Sequence, residues 1–256
     1  MPPVNPPVPP GKKTGLIPRN YKSHPPGYLS CCPTAPDDWI IPEDEWQDRL
    51  DAQLAAKISL WDLREANYDS LKSLDQNGFG LCWAFSTTKA VMYTRALMGE
   101  PPVTLSAWYV AGIINGWRDE GGWGAASLEF ITKTGVPAMD KCPKYNRSAV
   151  AADAEQNAAL HKVTEWYDGS EDRDKNRAIM VSAFLLGLPP VLDYNWLSHS
   201  MCGCRLVSVK PNLVIDTDNS WGDVDQYGAK GTYRLTGSHA IPDGVVVPRV
   251  SLPSTV

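Results

Sequence analysis

The chain changes character at Pro190, and that change limits its fold more than any other feature. Before it, apolar residues recur at helical spacing over long stretches. Trp46, Leu50, Leu54 and Ile58 repeat every fourth residue across 43–60, with Glu43, Asp44 and Glu45 favouring the N-terminus of a helix. Further helices are predicted over 82–98, 105–116, 125–135 and 172–187, several of them closed by Gly or Pro. Beyond Pro190 come short β-leaning runs, 191–196, 204–209, 212–218 and 232–237, broken by Asn, Asp, Gly and Pro. Helices first and strands afterwards predict an α+β architecture of two lobes with a cleft between them. The 256 residues are ample for that core.

The N-terminus is of another kind. Twelve of the 22 prolines fall within residues 1–43, six of them in the first ten. Proline lacks the N–H that a helix or central strand needs, so residues 1–42 read as an extended, polyproline-like arm. The plain alternative is a loose tail. Its few apolar side chains, Val4, Val8, Leu16 and Ile17 among them, let it lie in a groove but not fold alone. Its few charges, Lys12, Lys13 and Arg19 among them, make a nucleic-acid tether a poor explanation. The expectation is that the arm docks on a neighbouring subunit or partner protein and not on its own active site. The division expected is therefore an arm (1–42), an amphipathic helix or linker (43–60) and a main domain (61–256).

Composition removes several classes of function. With 43% hydrophobic and 21% charged residues the chain is globular. A net charge of −5 argues against nucleic acid as partner. No apolar run reaches membrane-spanning length, and the first twenty residues lack the apolar stretch of a signal peptide. Six cysteines are too few for a disulfide scaffold in a chain of this size.

The chemistry concentrates in Gln76-Asn77-Gly78-Phe79-Gly80-Leu81-Cys82-Trp83-Ala84-Phe85-Ser86. A glycine-rich turn delivers Cys82 to the first position of a long helix. Unsatisfied N–H groups and the helix dipole there favour a thiolate. On this pattern alone, an inert buried cysteine fits as well as a nucleophile.

QNGFGLCWAFS resembles the nucleophile segment of papain-family cysteine proteases, usually QGSCGSCWAFS. Asp62-Leu63-Arg64, Asp119-Glu120-Gly121-Gly122-Trp123, GVPAMDKCPKY (135–145), Asn219-Ser220-Trp221-Gly222 and Gly231-Thr232-Tyr233-Arg234 resemble further motifs of that family, in the family's order. Together they cover about residues 61–236. The resemblance implies a papain-like two-lobe fold, with a helical part near 76–187 around the cysteine helix and an antiparallel β-rich part near 190–250. It implies Cys82 as nucleophile, Gln76 as oxyanion donor, Asn219 as the group orienting a histidine, and Trp221 as the shield of that hydrogen bond. Of His24, His161, His199 and His239, His199 lies between two predicted strands and before Asn219, as the family's base does, although the family's Asp-His-Ala is Ser198-His199-Ser200 here; His239 is the competitor. His161 reads as part of a solvated helix. Gly122 would pair with substrate backbone, although Gly121-Gly122 reads equally as a tight turn.

The departures carry their own expectations. Phe79 and Asp119 stand where the family has a disulfide pair, and Ala111 or Gly112 where a second bridge would begin. Cys31-Cys32 and Cys202-x-Cys204 suit neither an ordinary bridge nor a metal. Reduced thiols and a reducing cytoplasm are expected, whether the protein is free or built into a virion. The segment from Pro190 to His199 is short, so one wall of the specificity pocket is trimmed. The function expected is a papain-like endopeptidase acting on polypeptides through a Cys82–His199 thiolate–imidazolium pair, with no metal or cofactor. The alternative is a papain-fold structural or binding component of an assembly such as a phage particle.

Overall fold

The computed structural model describes residues 8–27, 33–224 and 229–251. Eight α-helices are found among them: α1 (Trp46–Ala56), α2 (Leu60–Ala66), α3 (Tyr68–Leu71), α4 (Cys82–Leu97), α5 (Ala107–Asn115), α6 (Gly124–Lys133), α7 (Ala154–Ala158) and α8 (Arg173–Leu185). Six strands accompany them: β1 (Val163–Asp168), β2 (Val191–Tyr194), β3 (His199–Ser208), β4 (Val214–Asp218), β5 (Thr232–Thr236) and β6 (Gly244–Ser251). The strands form one antiparallel sheet in the order β1-β6-β2-β3-β4-β5. Helices thus precede most of the sheet, and the papain-like α+β architecture expected from the motifs is the one observed. No helix among the described residues is long and apolar enough to cross a membrane.

Helix α4 is the axis of the core, with every residue from Cys82 to Arg95 buried. Small side chains make that possible. Ala84, Ser86, Thr87 and Ala90 let the helix approach its neighbours closely, and the hydroxyls find partners on β3 and on α6. Ser86 and Ser200 share a hydrogen bond of 2.8 Å, Thr87 and Ser127 one of 2.6 Å. Side chains alternate along a strand, so Ser200 on β3 faces α4 while Gly203 faces the other side. A Cβ on Gly203 would meet the Phe184 ring of α8 at 2.5 Å. The sheet is therefore covered by α4 on one face and α8 on the other.

Three sequence expectations change here. Helix α1 is shorter than 43–60 and buries Trp46, Leu50 and Gln53, while Leu54 and Ile58 are exposed. A repeat of four drifts around a 3.6-residue helix, so the stripe leaves the buried face after two turns. The helix packs on α8, where Gln53 Nε2 donates to the Phe184 carbonyl at 2.8 Å, away from the cleft. Strand β1 lies inside the segment read as helical, and it pairs with β6 at the far end of the chain. His161 is buried and not solvated: its Nδ1 lies 2.9 Å from the Val136 carbonyl, and burial lowers its pKa.

The missing bridges are replaced by packing. Phe79 stacks edge-on against Trp108 and Tyr145, and Asp119 Oδ1 accepts from the Gly80 N–H at 2.7 Å. Cys82, Cys142, Cys202 and Cys204 are free and buried. Cys31 and Cys32 lie outside the described residues.

Candidate active site

Gln76 precedes α4, Cys82 opens it, His199 opens β3, and Asn219 and Trp221 share the loop after β4; contacts join Gln76 to Ser220 of that loop and His199 to both Asn219 and Trp221. Cys82 opens α4, preceded by Leu81, whose side chain makes no capping hydrogen bond. The backbone N–H groups of Ser200, Gly15 and Trp83 favour its thiolate. Ser200 follows His199, so the start of β3 lies against the start of α4. The hairpin between β2 and β3 is tight: Tyr194 pairs with His199, and Ser198 turns the chain with a φ of 49°. This short hairpin is the physical form of the trimmed Pro190–His199 segment.

His199 Nε2 and Asn219 Oδ1 are 2.9 Å apart, which makes Nε2 the donor and leaves Nδ1 as the basic nitrogen. Nδ1 is buried and has no partner among the described residues. The Trp221 ring stacks on the imidazole, centroids 4.7 Å apart, and screens the hydrogen bond to Asn219 from water. Gln76 is fixed at both ends of its amide. Its Oε1 accepts from Ser220 Oγ at 2.6 Å, and its Nε2 donates to the Phe79 carbonyl and, at 2.9 Å, to the carbonyl of Lys13. His239 stands apart, edge-on against Trp196.

The cleft is filled by the chain's own arm, against the expectation that the arm avoids its own site. The Lys13 carbonyl also accepts from Trp221 Nε1 at 3.1 Å. Gly15 and Leu16 donate to the Ser198 carbonyl, Ile17 donates to the Gly122 carbonyl, and Gly122 N–H donates back to Gly15. Gly122 thus pairs with an extended backbone, and the segment that does so is Gly15–Ile17, running parallel to it. Gly122 must also lack a side chain for a second reason, since a Cβ would lie 2.6 Å from the Trp83 ring. Lys12 pairs with Asp75 at 2.9 Å and Lys13 with Asp119 at 2.7 Å. Farther along, Thr34 bridges to Asp168, and Ile41 N–H donates to Ser182 of α8. These contacts are invisible in the sequence because none follows from spacing. The signal that was present is Gly15, the one residue of the arm where a Cβ would strike the Gly80 backbone, at 1.9 Å.

Occupancy changes the electrostatics. Burial pushes the Cys82 thiol up to about 12, outweighing the N–H groups that favour the thiolate. Burial likewise lowers His199 to about 4, with only Asn219 opposing. Both shifts favour the neutral forms over the ion pair in this closed state, because burial removes the water that would stabilise either charge. Asp193, on β2, was missed by sequence reasoning. It is buried and raised to about 6 by that burial, although the Ser200 hydroxyl and the Gly124 N–H counteract the shift.

No protein-family model matches the chain. It is similar to cathepsin B-like CP3 of Giardia intestinalis, at 35% identity over 82 residues, or 31% of this chain and 27% of that protein. The match thus spans about a quarter of the curated relative's length. Among solved structures, digestive procathepsin L2 proteinase from the larval midgut of Tenebrio molitor gives a TM-score of 0.59 at 15% identity, covering 94% of this chain and 79% of that one. Xylellain, a cysteine protease from Xylella fastidiosa, gives 0.55 at 18% identity, covering 70% and 83%. With its motifs in order on the matching architecture, the chain has the papain-like fold of these cysteine proteases.

Proposed function

We propose that the protein is a cysteine endopeptidase in a closed state, its cleft held shut by residues 12–19 of its own arm. One observation carries this reading: a buried His199 whose Nε2 is tied to Asn219 and whose Nδ1 is left without a partner, beside a cysteine at a helix N-terminus. A structural histidine would be expected to satisfy both nitrogens.

When the arm leaves, water reaches the site and the balance of charges changes. The thiol proton passes to His199 Nδ1, and the helix N-terminus stabilises the thiolate. Attack of the Cys82 sulfur on a peptide carbonyl forms a tetrahedral oxyanion. Gln76 Nε2, now released from the Lys13 carbonyl, donates to it together with the Cys82 N–H. His199 gives its proton to the leaving amine, and the C–N bond breaks to leave a thioester. Water, deprotonated by His199, hydrolyses the thioester and restores the thiol. Asn219 keeps the imidazole oriented throughout, as the third member of a triad does.

The test is alkylation of thiols followed by mass spectrometry at mildly acidic pH. In the full chain Cys82 should label slowly, and in Gly15→Val, whose side chain cannot fit against Gly80, it should label fast. His199→Ala in that background should slow labelling, and His239→Ala should not. Labelling of Cys82 no faster than Cys142 in the opened chain would sink the reading.

A further inference from the structure

The arm's Arg19 sits in a socket that the main domain provides. Its Nη1 and Nη2 donate to Asp168 Oδ1 and Oδ2 at 2.6 and 2.8 Å, the two-pronged geometry that a guanidinium makes with a carboxylate. Its guanidinium lies over the Trp123 ring, 5.0 Å from the centroid, and Trp123 directly follows Gly122. Further contacts come from the arm itself, among them the His24 and Pro25 carbonyls and the Tyr21 ring.

Asp168 ends β1, and its side chain is fully buried. The hydrogen-bond partners of its carboxylate are Arg19 and the Gly27 N–H, both in the arm. Removing the arm therefore leaves a carboxylate and an aromatic shelf beside Gly122, with the cation gone. Next to them, Leu16 and Tyr21 cover a small hollow floored by Asp193 and Asp243. One Asp193 oxygen there is buried without a partner. Wherever the arm crosses the cleft, a base of the arm meets an acid of the body, since Lys12 and Lys13 are likewise paired. The body's rim is acidic and the occupying peptide basic.

We propose that Asp168 and Trp123 form a guanidinium-binding subsite that selects peptide substrates carrying arginine, and that Arg19 occupies it only while the cleft is closed. This rests on the peptidase reading above. The subsite lies on the Gly122 side of the scissile bond, at the separation that Gly15 and Arg19 have in the arm. A lysine there forfeits the second hydrogen bond and most of the stacking on Trp123, so arginine is favoured over lysine. A neutral citrulline keeps the shape and loses the charge.

The test uses the full chain carrying Gly15→Val and Arg19→Ala, so that the arm neither blocks the cleft nor fills the socket. Matched peptides bear arginine, lysine, citrulline or alanine at each position in turn, and cleavage is followed by mass spectrometry. The expected result is a preference for arginine of about tenfold or more over citrulline and alanine at one fixed position. Adding Asp168→Asn should bring the arginine-to-alanine ratio close to one. Cleavage without an arginine preference, in a chain whose Cys82 labels fast, overturns the subsite and leaves the peptidase standing. If Cys82 is inert and nothing is cleaved, the peptidase reading has failed on its own. Saturation-transfer NMR with N-acetyl-arginine amide and the Arg19→Ala chain then decides the subsite. Binding that Asp168→Asn abolishes upholds the socket, and no binding overturns it.

Discussion

The carbonyl oxygen of Lys13 lies 2.9 Å from Nε2 of Gln76. A peptide of the chain itself thus occupies the donor that an oxyanion needs, and the Gly15 and Leu16 N–H groups donate to the Ser198 carbonyl, next to His199. The same stretch passes so close to Gly80 that no side chain fits at Gly15. The closed state is a matter of shape at one residue, reinforced by three ion pairs.

Gly15→Val should therefore open the cleft without touching any group of the site. The rate of Cys82 alkylation near neutral pH should rise at least tenfold, because the arm's burial of the thiol is lost. Timed labelling with intact-mass readout checks it, and an unchanged rate would mean that the arm does not control access.

Stability against pH should show two opposed contributions from the closed cleft. His199 titrates near 4 when folded against 6.5 ordinarily, so the unfolded chain binds the extra proton between those values. Its contribution is complete above about pH 6.5 and is lost as pH falls through the window. Asp193 titrates near 6 against 3.8, so its contribution is complete below about 3.8 and is lost as pH rises through 6. Each amounts to about 3 kcal/mol, and between pH 4 and 6 they largely cancel. Asp193→Asn should therefore gain stability steadily from pH 4 to 6.5, and His199→Gln should lose it from pH 4 to 6. Urea unfolding at four pH values separates the two slopes.

Asp218→Asn should destabilise the fold by about 3–5 kcal/mol, the usual cost of breaking a buried ion pair from one side. Asp218 accepts from Arg64 Nε at 3.2 Å, from Tyr93 at 3.2 Å and from Ser73 at 2.7 Å, and it lies 3.3 Å from Lys89 Nζ. Its loss strands two buried cations. Chemical denaturation measures the effect, and a change under about 1 kcal/mol would show that the carboxylate is not what neutralises them.

Gln76→Ala, made in the opened Gly15→Val chain, should lower kcat on a peptide substrate about a hundredfold or more, with little change in KM. That is the cost of one oxyanion donor, which acts on the transition state more than on bound substrate. Steady-state kinetics on one peptide suffices, and an equal loss carried by KM alone would place Gln76 in ground-state binding.

Most of the fold could be read from local pattern, as could the cluster at Cys82. Helix α4 follows from a glycine-rich turn and an uninterrupted helix-forming run. Gln76, His199, Asn219 and Trp221 follow from ordered motifs, and the tertiary structure joins His199 to Asn219 and Trp221 and Gln76 to the neighbouring Ser220. Strand β1 was not legible, because its partner β6 lies about 80 residues away and its own pattern is short. Helix α1 was legible in position but not in face, since a repeat of four cannot stay on one side of a 3.6-residue helix.

The arm marks the boundary between the two kinds of information. Its prolines restrict the backbone whatever it touches, because a fixed φ and a missing N–H act within each residue, although the described part also turns at Pro9–Lys12 and Asn20–His24 instead of running extended throughout. Where the arm lies depends on surfaces assembled from distant segments: Gly80 before α4, Gly122 before α6, Ser198 in a hairpin and Asp168 at the end of β1. No spacing within residues 8–27 encodes that set. Local pattern sets the helix that Cys82 opens and restricts the backbone of the arm; that the arm closes over that helix depends on the packing of distant segments, and with it the burial that favours the neutral forms of Cys82 and His199.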